Sequence, residues 1–343
     1  MNIWIDLANS PHVVFFEPII RMLENKGHKI FVSMRSFAQT VPLAHRYGIQ
    51  GEIIGQHGGA NTLLKAVNLI SRTAQLVKFA ANKKIDIAVS HNSYTHALAG
   101  RLIGARVVTI MDYEGQPANH LAFRAAHKVI VPKAFPREAL KKFGAYDRKV
   151  YTYEGFKEQL YLSDYMPDKN FIPALLEACN LNAGYKIENK IIISIRTPPT
   201  MALYHHFQNI FFDQLLAMLD RNPSTLCLVF PRDGIQRDYI KNKFKNMHMP
   251  NVQLDGMDLC HYSDLVISAG GTMNREAAII GTPAYSTFMG AMPAVDMELI
   301  KMGRMIHLEN ASDLQKIHFQ KKIRGNILEN PGLLNEIVNQ ILL

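Results

Sequence analysis

The stretch Asp264 to Pro283, DLVISAGGTMNREAAIIGTP, has the residue order of an anion site. Leu265, Val266 and Ile267 form a short apolar run, Gly270 and Gly271 break it, and Glu276 to Ile280 read as a helix stopped by Gly281 and Pro283. Two glycines admit a ligand to the backbone without a Cβ clash, and the free N–H groups of a helix start attract negative charge. The guest this predicts is a phosphate or diphosphate on Gly270, Gly271 and Thr272, with Ser268 and Asn274 beside it. Glu276, about one turn into the helix, is placed to accept hydrogen bonds from sugar hydroxyls. The plainer alternative is a tight turn needed only for packing.

Further titratable groups gather where strands should end. Asn9-Ser10-Pro11-His12 offers Ser10 as a contact and His12 as a base on an acceptor hydroxyl or a phosphate ligand; otherwise His12 only caps a helix. The polar run Ser90 to His96 puts His91 and Asn92 in a binding loop. Met111-Asp112-Tyr113-Glu114-Gly115 offers Asp112 and Glu114 as general bases. In the second half, Arg196 and Arg232 each follow an apolar run, and guanidinium groups there neutralise a diphosphate leaving group unless they are tied up in ion pairs. Lys157 and Glu158 either touch substrate or hold a hinge. No DxD pair or His/Asp/Glu ligand set emerges, so the expected chemistry needs neither metal nor cofactor.

The elements that carry these groups alternate between strand and helix. Asn2 to Leu7 reads as a buried strand, Pro11 suits a first helical turn, the helix runs to about Lys26, and Lys29 to Ser33 is the second strand. Further strands are expected at Glu52 to Ile54, Ile85 to Val89, Arg106 to Ile110, Lys128 to Val131 and Lys149 to Tyr153. Between Tyr153 and Asn170 the rhythm lapses. A second series follows at Lys190 to Ile195, Thr225 to Phe230, Val252 to Leu254, Leu265 to Ser268, Pro283 to Thr287 and Met305 to Leu308, with helices near His206 to Arg221 and Ile235 to Asn246. The implied domains are 1–160, basic, on the acceptor side, and 161–330, on the nucleotide-sugar side. Such alternation predicts parallel sheets.

One helix, Thr62 to Lys84, carries Leu63, Val67, Ile70, Ala74, Val77 and Ala81 at helical spacing with Lys65, Arg72, Lys78, Lys83 and Lys84 as its only charges. It either packs the apolar face on the sheet or lies on an anionic membrane surface. The loop before it, Gly55 to Ala60, is a candidate for acceptor contacts.

A chain of 343 residues exceeds what one core normally supports. Its three cysteines are far apart, which fits a reducing cytoplasm with buried thiols. No run of apolar residues reaches membrane-spanning length, and the N-terminus enters a strand directly, so neither a span nor a signal peptide is expected. Residues 1–165 hold 21 Lys and Arg against 12 Asp and Glu, whereas residues 166–343 hold 17 of each, so the excess of +9 lies wholly in the first half. A basic half of this kind points to an anionic partner: lipid head groups, a phosphorylated acceptor or nucleic acid.

SAGGTMNREAAIIGTP resembles the nucleotide-sugar motif in the C-terminal domain of glycosyltransferases with the two-domain B-type fold. It is similar there to the UDP-N-acetylglucosamine 2-epimerases and to the N-acetylglucosaminyltransferase that makes lipid II. With IDLANSPHVVFFEPII and YEGFKEQLYL it also resembles the domain-of-unknown-function family 354 over nearly the whole chain. The resemblance implies an α/β fold of two doubly wound Rossmann-like domains facing across a cleft, with diphosphate on Gly270, Gly271 and Thr272, ribose on Glu276, and a C-terminal helix (331–343) crossing back to the first domain. Two departures matter: the glycine-rich first loop of the lipid II enzyme is absent, and the epimerases' loop aspartate is replaced by His91 and Asn92. Glu114-Gly115 only loosely matches their HxEAG segment.

The expectation is a cytoplasmic enzyme, peripheral at the inner membrane face if its acceptor is lipid-linked, which moves a sugar from a UDP-type donor to an anionic or lipid-linked acceptor in surface polysaccharide or glycolipid synthesis. The alternatives are a UDP-sugar 2-epimerase and a non-catalytic nucleotide-sugar-binding protein. No nucleic-acid motif accompanies the basic charge.

Overall fold

The computed structural model describes residues 1–56, 62–182, 184–198, 210–323 and 327–343. The chain divides into two contact units. One comprises Met1–Ser163 with Pro293–Val295 and Asn330–Leu343, the other Asp164–Met292 with Asp296–Glu329.

In the first unit, β1 (Asn2–Leu7), β2 (Lys29–Ser36), β3 (Glu52–Gln56), β4 (Ile87–His91), β5 (Arg106–Ile110), β6 (Lys128–Pro132) and β7 (Val150–Tyr153) form one parallel sheet in the order β3-β2-β1-β4-β5-β6-β7. Helices cover both faces, so its strands are apolar on both sides, as parallel strands must be. Ile3, Ile5 and Leu7 pack under the helix Ser10–Asn25 and the C-terminal helix Leu333–Leu342, whose Leu333, Ile337, Val338 and Ile341 are fully inside. Trp4 faces the other way, toward Leu76, Phe79, Ala97 and Phe123. The first helix starts as its sequence dictates: Asn9 accepts from Ser10 N at 2.9 Å, and Pro11 occupies the first turn, where no N–H is needed. Arg106 donates to Ile341 O, Lys128 to Gln340 O at 3.0 Å, and Tyr151 Oη to Glu336 at 2.7 Å, fastening the C-terminal helix to the sheet.

In the second unit, β8 (Ile191–Arg196), β9 (Thr225–Phe230), β10 (Met247–His248), β11 (Leu265–Ser268), β12 (Ala284–Ser286) and β13 (Met305–His307) run parallel in the order β10-β9-β8-β11-β12-β13. Each sheet reverses its winding next to its first strand, between β1 and β4 and between β8 and β11. Ligands of doubly wound sheets bind outside the carboxyl ends of the strands at that reversal.

Two sequence expectations are corrected. No strand forms at Val252 to Leu254; the edge strand is Met247–His248, Pro250 supplies no N–H to extend it, and Asn251 N donates to Ala178 O instead. The helix Thr62–Ala80 also presents the opposite face from the one its apolar spacing indicated. Val67 and Ile70 are 62% and 68% exposed, while Arg72, Thr73, Leu76, Phe79 and Ala80 are buried. The ion pair of Arg72 and the contact of Phe79 with Trp4 (ring centroids 5.6 Å apart) fix that rotation. The loop at 57–61, the side chains of Leu63 and Lys65, and the expected helix start at His206 lie outside the described residues; the helix there is described from Ile210 to Asp220.

Candidate functional site

At the reversal of the first sheet, Asp6 is fully buried on β1 and surrounded by donors. Arg72 Nη2 lies 2.8 Å from Oδ1 and 3.1 Å from Oδ2, Ser33 Oγ donates to Oδ1 at 2.7 Å, and Ser93 Oγ to Oδ2 at 2.6 Å. Burial raises the Asp6 pKa, but Arg72, His96 and the two hydroxyls overcome it and hold the carboxyl at about 2. Arg72 also donates through Nε to Ile54 O at 3.1 Å. This network joins β1, β2, β3 and two helices beneath the loops that carry the site.

Those loops bring several of the sequence-derived residues together. Ser10 Oγ accepts from Gln39 N at 3.0 Å. The His12 ring lies 5.0 Å from the His91 ring, which ends β4 and is only 8% exposed. Asp112, just past β5, is shared: its Oδ1 is 3.4 Å from His91 Nε2 and its Oδ2 is 2.8 Å from Lys157 Nζ. Glu158, 1% exposed, approaches Lys157 at 4.0 Å. Asn92 takes a left-handed conformation (φ +54°), which asparagine tolerates, and its buried Oδ1 has no hydrogen-bond partner among the described residues. Glu114 is engaged elsewhere through one oxygen: Ala294 N donates to its Oε1 at 2.7 Å, and its Oε2 is buried without a hydrogen-bond partner among the described residues.

In the second unit, Arg196 and Ser268 are register partners across β8 and β11, at the second reversal. Arg232 Nε donates to Thr197 O at 2.9 Å, and a Cβ on Gly270 would stand 3.3 Å from its Nη2, so the guanidinium lies against the glycine turn. Among the described residues no carboxylate pairs with Arg196 or Arg232. Burial lowers the pKa of both, with Arg232 adding to the effect on Arg196, yet guanidinium groups stay charged. Gly270 caps the helix Gly271–Ile280, and Gly270 N donates to Ser268 Oγ at 3.0 Å. Asn274 Nδ2 donates to Ser268 O at 2.9 Å, as does Thr287 N at 3.0 Å. Thr272 is half-buried, and Glu276 is buried at 8% exposure. Two neighbouring cations beside a helix N-terminus are an arrangement that attracts a multiply charged anion.

Sequence reasoning missed the residues that hold these groups. Gln236, fully buried, accepts from Arg232 N at 2.9 Å and Thr197 Oγ1 at 2.5 Å and donates to Pro198 O at 2.9 Å, clamping the loops of both arginines. A glutamine inside a polar helix gives no such signal. Asp6 gave one: a lone carboxylate in an otherwise apolar strand requires a buried cation. Among the described residues no group of three or more His, Cys, Asp or Glu is placed to hold a metal, and no helix is long and apolar enough to cross a membrane.

A curated relative, the uncharacterized protein MJ0665 of Methanocaldococcus jannaschii, is 30% identical over 320 residues, 92% of this chain and 89% of that one. The solved structure of a UDP-GlcNAc 2-epimerase from the same organism, in complex with UDP-GlcNAc and UDP, matches with a TM-score of 0.69 at 14% identity, over 100% of this chain and 99% of that one. The glycotransferase of kitacinnamycin matches with a TM-score of 0.58 at 10% identity, over 99% and 92%. These likenesses show the fold: two parallel-sheet, Rossmann-like α/β units of the B-type glycosyltransferase class. Residues 1–335 match the family described as "Protein of unknown function (DUF354)", and the chain belongs to that family.

Proposed function

We propose that the protein binds a nucleoside diphosphate sugar through its second unit and transfers the sugar to an acceptor hydroxyl. The observation that carries this reading is the pair Arg196 and Arg232, two part-buried cations without a carboxylate among the described residues, set at the glycine-led start of the helix Gly271–Ile280. The diphosphate lies on Gly270 to Thr272, with Ser268 and Asn274 shaping the turn and Glu276 taking ribose hydroxyls. As the bond from sugar C1 to the phosphate oxygen breaks, charge grows on the leaving diphosphate. Fixed guanidinium groups and helix N–H groups stabilise that charge without reorganising, so the reaction proceeds without a metal ion.

The first unit supplies the polar groups His12, Asp112 and Glu114, of which the two carboxylates are the candidate bases. Asp112 has one oxygen facing Lys157 and the other facing His91, whereas Glu114 Oε2 has no hydrogen-bond partner among the described residues, so Glu114 takes the acceptor's proton. The positive excess of residues 1–165 supports an acceptor that carries negative charge, including a lipid-linked one at an anionic membrane.

Likeness to a UDP-GlcNAc 2-epimerase favours a second reading, in which the same donor site serves inversion at sugar C2. Calorimetric titration with UDP and UDP-GlcNAc, in Mg²⁺ or EDTA, tests the shared donor site. Metal-independent binding that is lost in Arg196→Ala and Glu276→Ala supports it, and absence of binding by any nucleoside diphosphate overturns both readings. Incubation of UDP-GlcNAc in D₂O then separates them, because epimerisation places deuterium at C2 and transfer does not.

A further inference from the structure

We propose that His12 works as a neutral hydrogen-bond donor, offering Nε2–H to a substrate oxygen that gains negative charge, and does not act as a base. The geometry begins one residue past β1. Ala8 N donates to His12 Nδ1 at 3.3 Å, closing a loop from the end of the strand to the first turn of the helix. A backbone N–H can only donate, so Nδ1 must present its lone pair. In a neutral imidazole the proton then sits on Nε2, and the hydrogen bond at one nitrogen decides the role of the other. Protonation would place an N–H of the ring against the N–H of Ala8. The one nitrogen with a lone pair is therefore occupied, and Nε2 has nothing with which to accept a proton.

The surroundings agree. The ring keeps some exposure at the surface but lies deep among its neighbours, and burial pushes its pKa well below the usual histidine value. His91 at the end of β4 and the Lys157 ammonium in the segment after β7 push the same way; Asp6 on β1 and Asp112 past β5 oppose them and lose. Lys157 is held in place by Asp112 at 2.8 Å, so its charge is a fixed part of the site. Among the described residues, Ala8 N is the one hydrogen-bond partner of the His12 ring. A neutral donor next to a helix start suits an oxygen whose charge grows in the transition state, because it adds a hydrogen bond without repelling a cation nearby. Identifying that oxygen as part of a nucleotide sugar rests on the function proposed above; the protonation state of the ring does not.

The test has two arms. In protein labelled with ¹⁵N at histidine, with the His12 signals assigned by their loss in His12→Gln, two-bond ¹H–¹⁵N correlation spectra from pH 5 to 8 report the tautomer directly. The expected result is Nε2–H with an unprotonated Nδ1 throughout. An Nδ1–H tautomer, or a titration midpoint between pH 6 and 7, overturns the proposal. In the second arm, the side-chain amide of His12→Gln keeps a donor near the Nε2 position but cannot act as a base. Turnover of the nucleotide sugar is expected to stay within about tenfold of wild type in that variant and to fall roughly 100-fold or more in His12→Ala. Equal loss in both variants overturns the donor role. If no nucleotide sugar is turned over at all, the functional reading fails while the spectra still decide the state of His12.

Discussion

The two sheet reversals are built alike and charged differently. In the first unit the cations are committed: Arg72 Nη2 is held by both oxygens of Asp6, and Lys157 by one oxygen of Asp112. In the second unit Arg196 and Arg232 neighbour each other with no carboxylate partner among the described residues. A buried cation with an internal partner is a structural element, because removing it strands the partner's charge. A pair of like charges without such a partner costs stability, a cost that the anion proposed above would offset. The contrast supports the proposed position of a ligand's negative charge at the second reversal, and it does so without reference to any relative.

That contrast can be broken at its strongest point with Arg72→Met, which leaves Asp6 buried and uncompensated. The variant should lose about 3–5 kcal/mol in a urea melt; a loss below about 1 kcal/mol would mean that the network is not structural. The same carboxylate predicts an acid limb. Its surroundings hold the Asp6 carboxyl at about 2 when folded against 3.8 unperturbed, so a contribution of roughly 2 kcal/mol is present above pH 4 and disappears as the pH falls toward 2. Asp6→Asn should lack that component of the acid melt. In the second unit the expectation inverts. Arg232→Ala should weaken UDP binding roughly 30-fold, equivalent to about 2 kcal/mol for a charge-assisted contact, and Arg196→Ala should do likewise while leaving Tm within about 2 °C. A large drop in Tm for Arg196→Ala with unchanged UDP affinity would erase the distinction between the two regions. The smallest effect belongs to Gly270→Ala, whose new Cβ meets Arg232 Nη2 at 3.3 Å and must displace it by a few tenths of an ångström. A loss of affinity of about threefold to fivefold is expected, under 1 kcal/mol.

Much of the fold was legible because parallel strands advertise themselves. Arg106–Ile110, Thr225–Phe230 and Leu265–Ser268 begin and end where the apolar runs meet turn residues. The edge strand Met247–His248 was not legible, since two residues have no period. The orientation of the helix Thr62–Ala80 was misread for a different reason. An arginine counts as a surface residue in any hydropathy pattern, yet here Arg72 is buried on the inner face, paired with a carboxylate 66 positions earlier. Candidate residues such as Ser10, His91, Asp112, Arg196 and Arg232 were visible because they lie at or just past strand ends, where a doubly wound sheet exposes its loops. Their fastenings, Gln236 for the arginines and Ala8 N for His12, depend on tertiary geometry and leave no local trace.

The C-terminal helix gives the chain an order of assembly. During synthesis the first sheet leaves the ribosome early, yet one layer of its apolar cover is absent until residues 333 to 342 have been made. The N-terminal half must therefore wait, partly uncovered, while the entire second unit is translated, and its closing contacts join residues as far apart as Arg106 and Ile341. Long-range closure of this kind is slow and leaves a sticky intermediate. Removing residues 333–342 would thus do its damage far away in the sequence, by taking one layer of cover from the core of the first unit.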